Sequence, residues 1–243
     1  MVPTLGTSQS YWFFYLGAIP IHAIVGYFVA RRLAVPLRLW ALVTASYALG
    51  MTIGAKLLFD TIVGSFSIRA LFSSSHYLAG GLWGGPFVVL ALLVGSALVV
   101  SWSTPRALDY AALTLPAPMM VAHLGCFMQG CCYGRPTSLP WEVAFPEGGP
   151  VAPGGVTLHP TQLYEIGLLL IVVAVYRRVL REAAWTGTLL GWFLAAYCLG
   201  RAFVEVFRGD QRVAFAGVSA SQVICVLVAM FSVLALGLVW RHR

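Results

Sequence analysis

Long apolar runs alternate along this chain with short breaks that collect its basic, glycine and proline residues. Seven runs are long enough for a helix to cross a bilayer's hydrocarbon core, at roughly 11–30, 39–60, 77–101, 108–129, 162–180, 186–206 and 217–240, with ends placed to about 2–4 residues. The longest break, about 130–161, holds Pro136, Pro140, Pro146, Pro150, Pro153, Gly154, Gly155 and Pro160, a density at which no regular helix forms. The pattern predicts an all-α, polytopic membrane protein: one integral domain over residues 1–243, seven transmembrane helices and a small ordered head at about 130–161. No internal repeat, soluble domain or low-complexity tract interrupts it.

Composition agrees. Hydrophobic residues make up 60% of the chain and charged residues 9%, with a mean hydropathy of +0.86, outside soluble globular usage. A net charge of +7 raises nucleic acid as a partner. The basic residues sit in short clusters between apolar runs rather than along one face, so no nucleic acid is expected. Arg31, Arg32, Arg38, Arg106, Arg177, Arg178, Arg181, Arg241 and Arg243 all fall on one side of the seven runs. The positive-inside rule makes that side cytoplasmic, which puts the N-terminus outside, the C-terminus inside and the 130–161 head on the outer face. The first run is followed, not preceded, by arginines, the reverse of a signal peptide, and is read as a retained helix.

Two stretches carry more chemistry than lipid contact requires. From His123 to Arg135 the chain places one His, three of its five Cys (Cys126, Cys131, Cys132), Gln129, and glycines at 125, 130 and 134 at the end of an apolar run. Those glycines let a backbone or ligand approach closely. In the second stretch Tyr197, Arg201 and Glu205 are spaced by four and share one helix face near the outer end of the sixth run, followed by Arg208 and Asp210. Ionisable groups at that depth face a polar cavity or pair with one another. The plainer reading is an Arg201–Glu205 pair that snorkels to the headgroup layer and anchors the helix. The head adds Glu142, Glu147 and His159, and at its exit Tyr164 and Glu165.

The cysteines admit two readings. His123, Cys126, Cys131 and Cys132, with His159, allow a soft-metal site to be drawn, but Cys-x4-Cys-Cys is no standard zinc spacing and no metal is expected. On an oxidising outer face a disulfide from Cys126 to Cys131 or Cys132 is easier to justify. His22 reads as hydrogen-bonded to a neighbouring helix rather than catalytic, Cys198 and Cys225 as small buried packing residues, and Lys56 with Asp60 as a helix-end ion pair. Trp12, Trp141, Trp185 and Trp240 read as interface anchors.

Gly80-Gly81, the Gly125…Gly130…Gly134 frame, Trp141, the run His159-Pro160-Thr161-Gln162-Leu163-Tyr164-Glu165, the Tyr197/Arg201/Glu205 face with Arg208 and Asp210, and Ser219-x-x-Gln222 together resemble the bacterial prolipoprotein diacylglyceryl transferases. The resemblance implies transfer of diacylglycerol from phosphatidylglycerol, or a related phospholipid, to the cysteine thiol of a prolipoprotein signal peptide. It implies no cofactor, and residence in the bacterial cytoplasmic (inner) membrane with the head in the periplasm. It makes His159 and His123 candidate bases, with Arg201, Glu205 and Tyr197 completing the catalytic set. Arg135, Arg208, Tyr164, Glu165, Gln129 and the glycines at 80, 81, 125, 130 and 134 become substrate-binding candidates. The family's signature Arg, Asn, Asn and Glu are His123, Cys126, Gln129 and Cys131 here, its His before the paired glycines is Ala79, with His76 a turn earlier, and its first-span Tyr falls at Ile24. Two alternatives stand beside transfer: a non-catalytic or re-purposed member that binds lipid or lipoprotein precursor, and a redox or metal-handling protein built on the cysteines.

Overall fold

The computed structural model describes residues 8–51, 84–147, 151–179, 187–210, 214–215 and 217–241. Lys56, Asp60, His76, Ala79, Gly80, Gly81 and Trp185, with the end of the second expected run and the start of the third, lie outside them. The described chain is mostly helical: α1 (Ser8–Arg32), α2 (Leu37–Leu49), α3 (Gly84–Val99), α4 (Thr104–Thr114), α5 (Pro116–Gln129), α6 (Thr161–Val179), α7 (Leu189–Val204) and α8 (Ala220–Arg241). A described helix fills all or part of each of the seven apolar stretches. Among the described residues Thr104–Gln129, Leu189–Phe207 and Ala220–Arg241 are long and apolar enough to cross a membrane, while Leu37–Leu49 and Thr161–Tyr176 are shorter apolar helices.

The fourth stretch begins earlier than expected, at Thr104, and breaks between Thr114 and Pro116. Proline has no N–H to give to the preceding turn and its ring crowds that turn, so α5 restarts with Pro116 in its first turn.

Contacts divide the chain into two compact units, residues 22–114 and residues 1–21 with 115–243. In the first, α3 packs on α2 and α4. His22 stacks on Tyr47 at 4.5 Å between ring centres, and Tyr110 Oη donates to the Gly26 carbonyl at 3.0 Å. His22 is held by this stacking; its Nδ1 has no hydrogen-bond partner among the described residues, where a hydrogen bond to a neighbouring helix was expected. Ile24, where the family has Tyr, is exposed beside Ala23, Tyr27, Phe28 and Trp40 in a shallow apolar depression.

In the second unit α6 packs on α5 and α7, and α7 on α8. Two short ladders lie between these helices in the chain, the first of them within the expected head. Val143–Ala144 (β1) pairs antiparallel with Thr157–Leu158 (β2), and Ala214–Phe215 (β3) with Val218–Ser219 (β4). Phe127 at the end of α5 joins Phe145, Ala152 and Leu158 in a small core, so the head is packed onto the helix that carries the cysteine stretch.

One segment stitches head to helices. The Gly134 N–H donates to His159 O at 3.0 Å, Arg135 N–H to Phe207 O at 2.7 Å, His159 N–H to Arg135 O at 3.0 Å and Gly209 N–H to Tyr133 O at 3.0 Å. A Cβ on Gly134 would run into His159 Cβ and O, and into Phe207 O. Both neighbours there are backbone or backbone-attached and cannot turn aside. Gly134→Ala should therefore cost about 1–3 kcal/mol of overpacking and lower the melting temperature of the detergent-purified protein. Gly95→Ala, where a Cβ meets nothing within 4 Å, should stay within about 1 kcal/mol of the parent, on the stabilising side. Thermal unfolding of the two variants side by side checks this.

Candidate functional site

The site forms where the C-terminal ends of α5 and α7 meet the N-terminal end of α6, and local rules shape the helix ends around it. Gly130 caps α5 in the left-handed region at φ 78, and the Cys131 N–H reaches back to Cys126 O at 3.0 Å. This is a Schellman-type stop, which glycine adopts without strain. At α8 the sequence Ser219-x-x-Gln222 closes a capping box: Gln222 N–H donates to Ser219 Oγ at 3.1 Å and Ser219 N–H to Gln222 Oε1 at 3.0 Å.

At the centre is Arg201. Its Nε lies 2.8 Å from Glu165 Oε1 on α6 and its Nη1 2.6 Å from Glu205 Oε2, one turn on from α7. The hydroxyl of Ser219 donates to the other Glu205 oxygen at 2.9 Å, and the Tyr197 hydroxyl reaches Glu165. Glu165 is 0%, Glu205 5% and Arg201 6% exposed. The i, i+4 face read from the sequence is therefore real, and it is buried. That burial contradicts the plainer reading: a guanidinium held between two inward carboxylates does not snorkel to headgroups. His123, on α5, faces the same cluster, its Nε2 4.0 Å from Glu165 Oε2; its Nδ1 is buried with no hydrogen-bond partner among the described residues.

A second cation lies next to the first. Arg208, 6% exposed, donates Nε and Nη2 to the two oxygens of Asp210 at 2.8 and 2.7 Å. It also hydrogen-bonds the Cys132 side chain. Burial alone would lower the Arg208 guanidinium, but Cys132 and Asp210 hold it above its ordinary range, so it stays charged. Arg135 is exposed, with its Nε given to Arg208 O at 3.1 Å.

His159 belongs to a different group. Trp141 Nε1 donates to Tyr164 Oη at 2.8 Å, and the same hydroxyl shares a hydrogen bond with His159 Nδ1, 3.0 Å away. The imidazole also packs on Phe207, with ring centres 5.1 Å apart. Trp141 is exposed as an interface anchor would be, and it also begins this relay. Gln129 is buried in the last turn of α5, and Gly125 lies against Phe14, where a Cβ would collide. Cys198 and Cys225 are buried, as expected.

The expected disulfide is not formed: no disulfide joins Cys126, Cys131 and Cys132. Cys131 instead directs its Sγ at the Cys126 carbonyl, 3.7 Å away. The left-handed Gly130 folds Cys131 back over the helix end, which explains that orientation. A hydrogen bond with Cys126 would lower the Cys131 thiol; a second with Cys132, together with burial, outweighs it and leaves the thiol above its ordinary range.

Sequence reasoning missed three contributors. Ser219 fixes Glu205, Thr161 Oγ1 donates to Cys132 O at 2.5 Å, and Gln162 Nε2 donates to Cys131 O at 2.6 Å. The available signal was polar side chains at the mouths of two apolar helices: Thr161 and Gln162 sit in the His159–Glu165 run and Ser219 opens Ser219-x-x-Gln222, both quoted for the family resemblance.

Comparison with known proteins shows the family. The profile of the family described as Prolipoprotein diacylglyceryl transferase matches residues 4–239. Relatives named phosphatidylglycerol–prolipoprotein diacylglyceryl transferase include those of Agrobacterium fabrum, 32% identical over 208 residues (76% of this chain, 71% of the relative), and Rhizobium meliloti, 32% over 212 residues (76% and 71%). That of Clostridium tetani is 29% identical over 192 residues (76% and 74%). On the match of nearly its whole length, and on a fold with apolar helices built for a membrane, this chain belongs to the prolipoprotein diacylglyceryl transferase family.

Proposed function

We propose that this chain transfers the diacylglyceryl group of phosphatidylglycerol to the thiol of a lipobox cysteine, at the outer face of a bacterial cytoplasmic membrane. The observation that carries this is the buried Arg201 fixed between Glu165 and Glu205, with His123 facing Glu165. Loop charge asymmetry and the helices in all seven apolar stretches support a seven-span topology with the N-terminus outside and the head periplasmic.

The reaction forms a bond between sulfur and the glycerol carbon that bears the phosphate. It breaks that carbon's bond to oxygen, releases glycerol phosphate and moves the thiol proton to a base. His123 is the better base of the two histidines. With a proton on Nε2 toward Glu165, its Nδ1 keeps a free lone pair; the Nδ1 of His159 is already engaged by Tyr164. Glu165, on the Nε2 side of the ring, orients the imidazole for proton uptake at Nδ1. The role of Arg201 is then to hold Glu165 in place. Stabilising the departing phosphate falls to Arg208 and to Arg135, which is exposed and has no carboxylate partner among the described residues.

Transfer in proteoliposomes of phosphatidylglycerol, with a lipobox peptide read by mass spectrometry, tests these roles. His123→Ala should lower kcat by about 10²–10⁴-fold, and His159→Ala by clearly less; the reverse order would exchange their assignments. Arg135→Ala should raise the KM for phosphatidylglycerol about tenfold, the loss of roughly one charge-assisted phosphate contact, with kcat less affected. A folded protein that yields no adduct at all would overturn the transfer reading.

A further inference from the structure

The Sγ atoms of Cys126, Cys131 and Cys132 all lie within 4.8 Å of one another. Side chains of adjacent residues ordinarily diverge, so the convergence of Cys131 and Cys132 has to be built. Gly130, at φ 78, folds the chain back over the end of α5, and Cys132 sits at φ 62, a region L-residues rarely occupy. Both carbonyls of the turn are clamped from α6, that of Cys132 by Thr161 Oγ1 at 2.5 Å and that of Cys131 by Gln162 Nε2 at 2.6 Å. Thr161 and Gln162 are completely buried. The transfer chemistry above uses none of the three sulfurs.

We propose that these three thiols bind one thiophilic d10 cation, Zn2+ or Cu+, as a tris-thiolate. Thiolate sulfur selects these ions over hard ones. With metal–sulfur bonds of about 2.3 Å, ligand sulfurs lie about 3.8 Å apart, a modest contraction from the present spread; a disulfide would draw two of them to about 2.05 Å. Binding releases the three S–H protons to solvent and moves no electrons. Cys126 is buried while Cys131 and Cys132 are half-buried, so an ion has access from the outer end. Arg208, hydrogen-bonded to Cys132, supplies the outer donor and positive charge that an anionic thiolate centre needs. The ion would tie the end of α5, which carries His123, to the turn that leads into Gly134 and Arg135. The proposal does not depend on the transfer reaction.

The test uses the full chain in detergent, reduced and stripped with a chelator, then titrated with Co2+ as a spectroscopic substitute for Zn2+ and, without oxygen, with Cu+. One equivalent of either ion should bind, with a sulfur-to-cobalt charge-transfer band for Co2+. Cys126→Ser, Cys131→Ser and Cys132→Ser should each weaken binding at least about tenfold, since even an outer-shell partner is worth that much. Cys198→Ser and Cys225→Ser should leave it unchanged. In the unsubstituted protein, one equivalent of metal should shield these three thiols from alkylation, mapped by mass spectrometry, a readout that does not require any variant to fold. Reduced, folded protein that binds neither ion, or metal that leaves alkylation of the three cysteines unchanged, would overturn the site.

Discussion

A guanidinium buried among apolar helices is stable only if it is paired and its hydrogen bonds are met. Arg201 meets the pairing condition with carboxylates from two different elements, Glu165 on α6 and Glu205 beyond the end of α7, while its Nη1 makes no hydrogen bond among the described residues. The pairing ties the two helices together at their outer ends, and Ser219, at the mouth of α8, holds the outer oxygen of Glu205. Three helices are thus joined through one charged cluster. Removing Arg201 would leave two buried carboxylates uncompensated, a penalty of about 3–5 kcal/mol. The same arrangement fixes the carboxylate that faces His123, so stability and reactivity rest on one set of contacts.

The Tyr197/Arg201/Glu205 face was legible because helical spacing is a local property: residues four apart meet wherever the helix goes. Glu165 read as a polar residue at the exit of the head and, by the family resemblance, as a substrate-binding candidate, not as the partner of Arg201. Its pairing with Arg201 joins residues on separate helices, and no period in the sequence encodes that. The apolar runs placed the helices well, yet the break before Pro116 was passed over inside a run that is apolar on both sides. The cysteines misled for a similar reason. Their spacing argued against a common focus, whereas the left-handed turn at Gly130 and Cys132 brings the three sulfurs together.

Where the family signature has Arg, Asn, Asn and Glu, this chain has His123, Cys126, Gln129 and Cys131, and it keeps the glycines that the backbone path requires. Gly130 makes the cap, and Gly134 passes between His159 and Phe207 with no room for a Cβ. The frame therefore survives the exchange of its polar side chains. His123 gains a carboxylate neighbour, and the thiols occupy a turn that Thr161 and Gln162 hold rigid. Preserved backbone and altered side chains are what one expects where the fold sets positions and the side chains set chemistry.

The central claim is that Arg201 and Glu165 act as one unit. A double-mutant cycle tests it: thermal stability and transfer rate of Arg201→Met, Glu165→Leu and the double variant, each against the parent. The account predicts strong coupling, with the double variant as stable as or more stable than either single and the two losses overlapping by about 2 kcal/mol or more. Losses that add within about 0.5 kcal/mol would mean that the two residues contribute independently, and the shared cluster would not be what holds the site together.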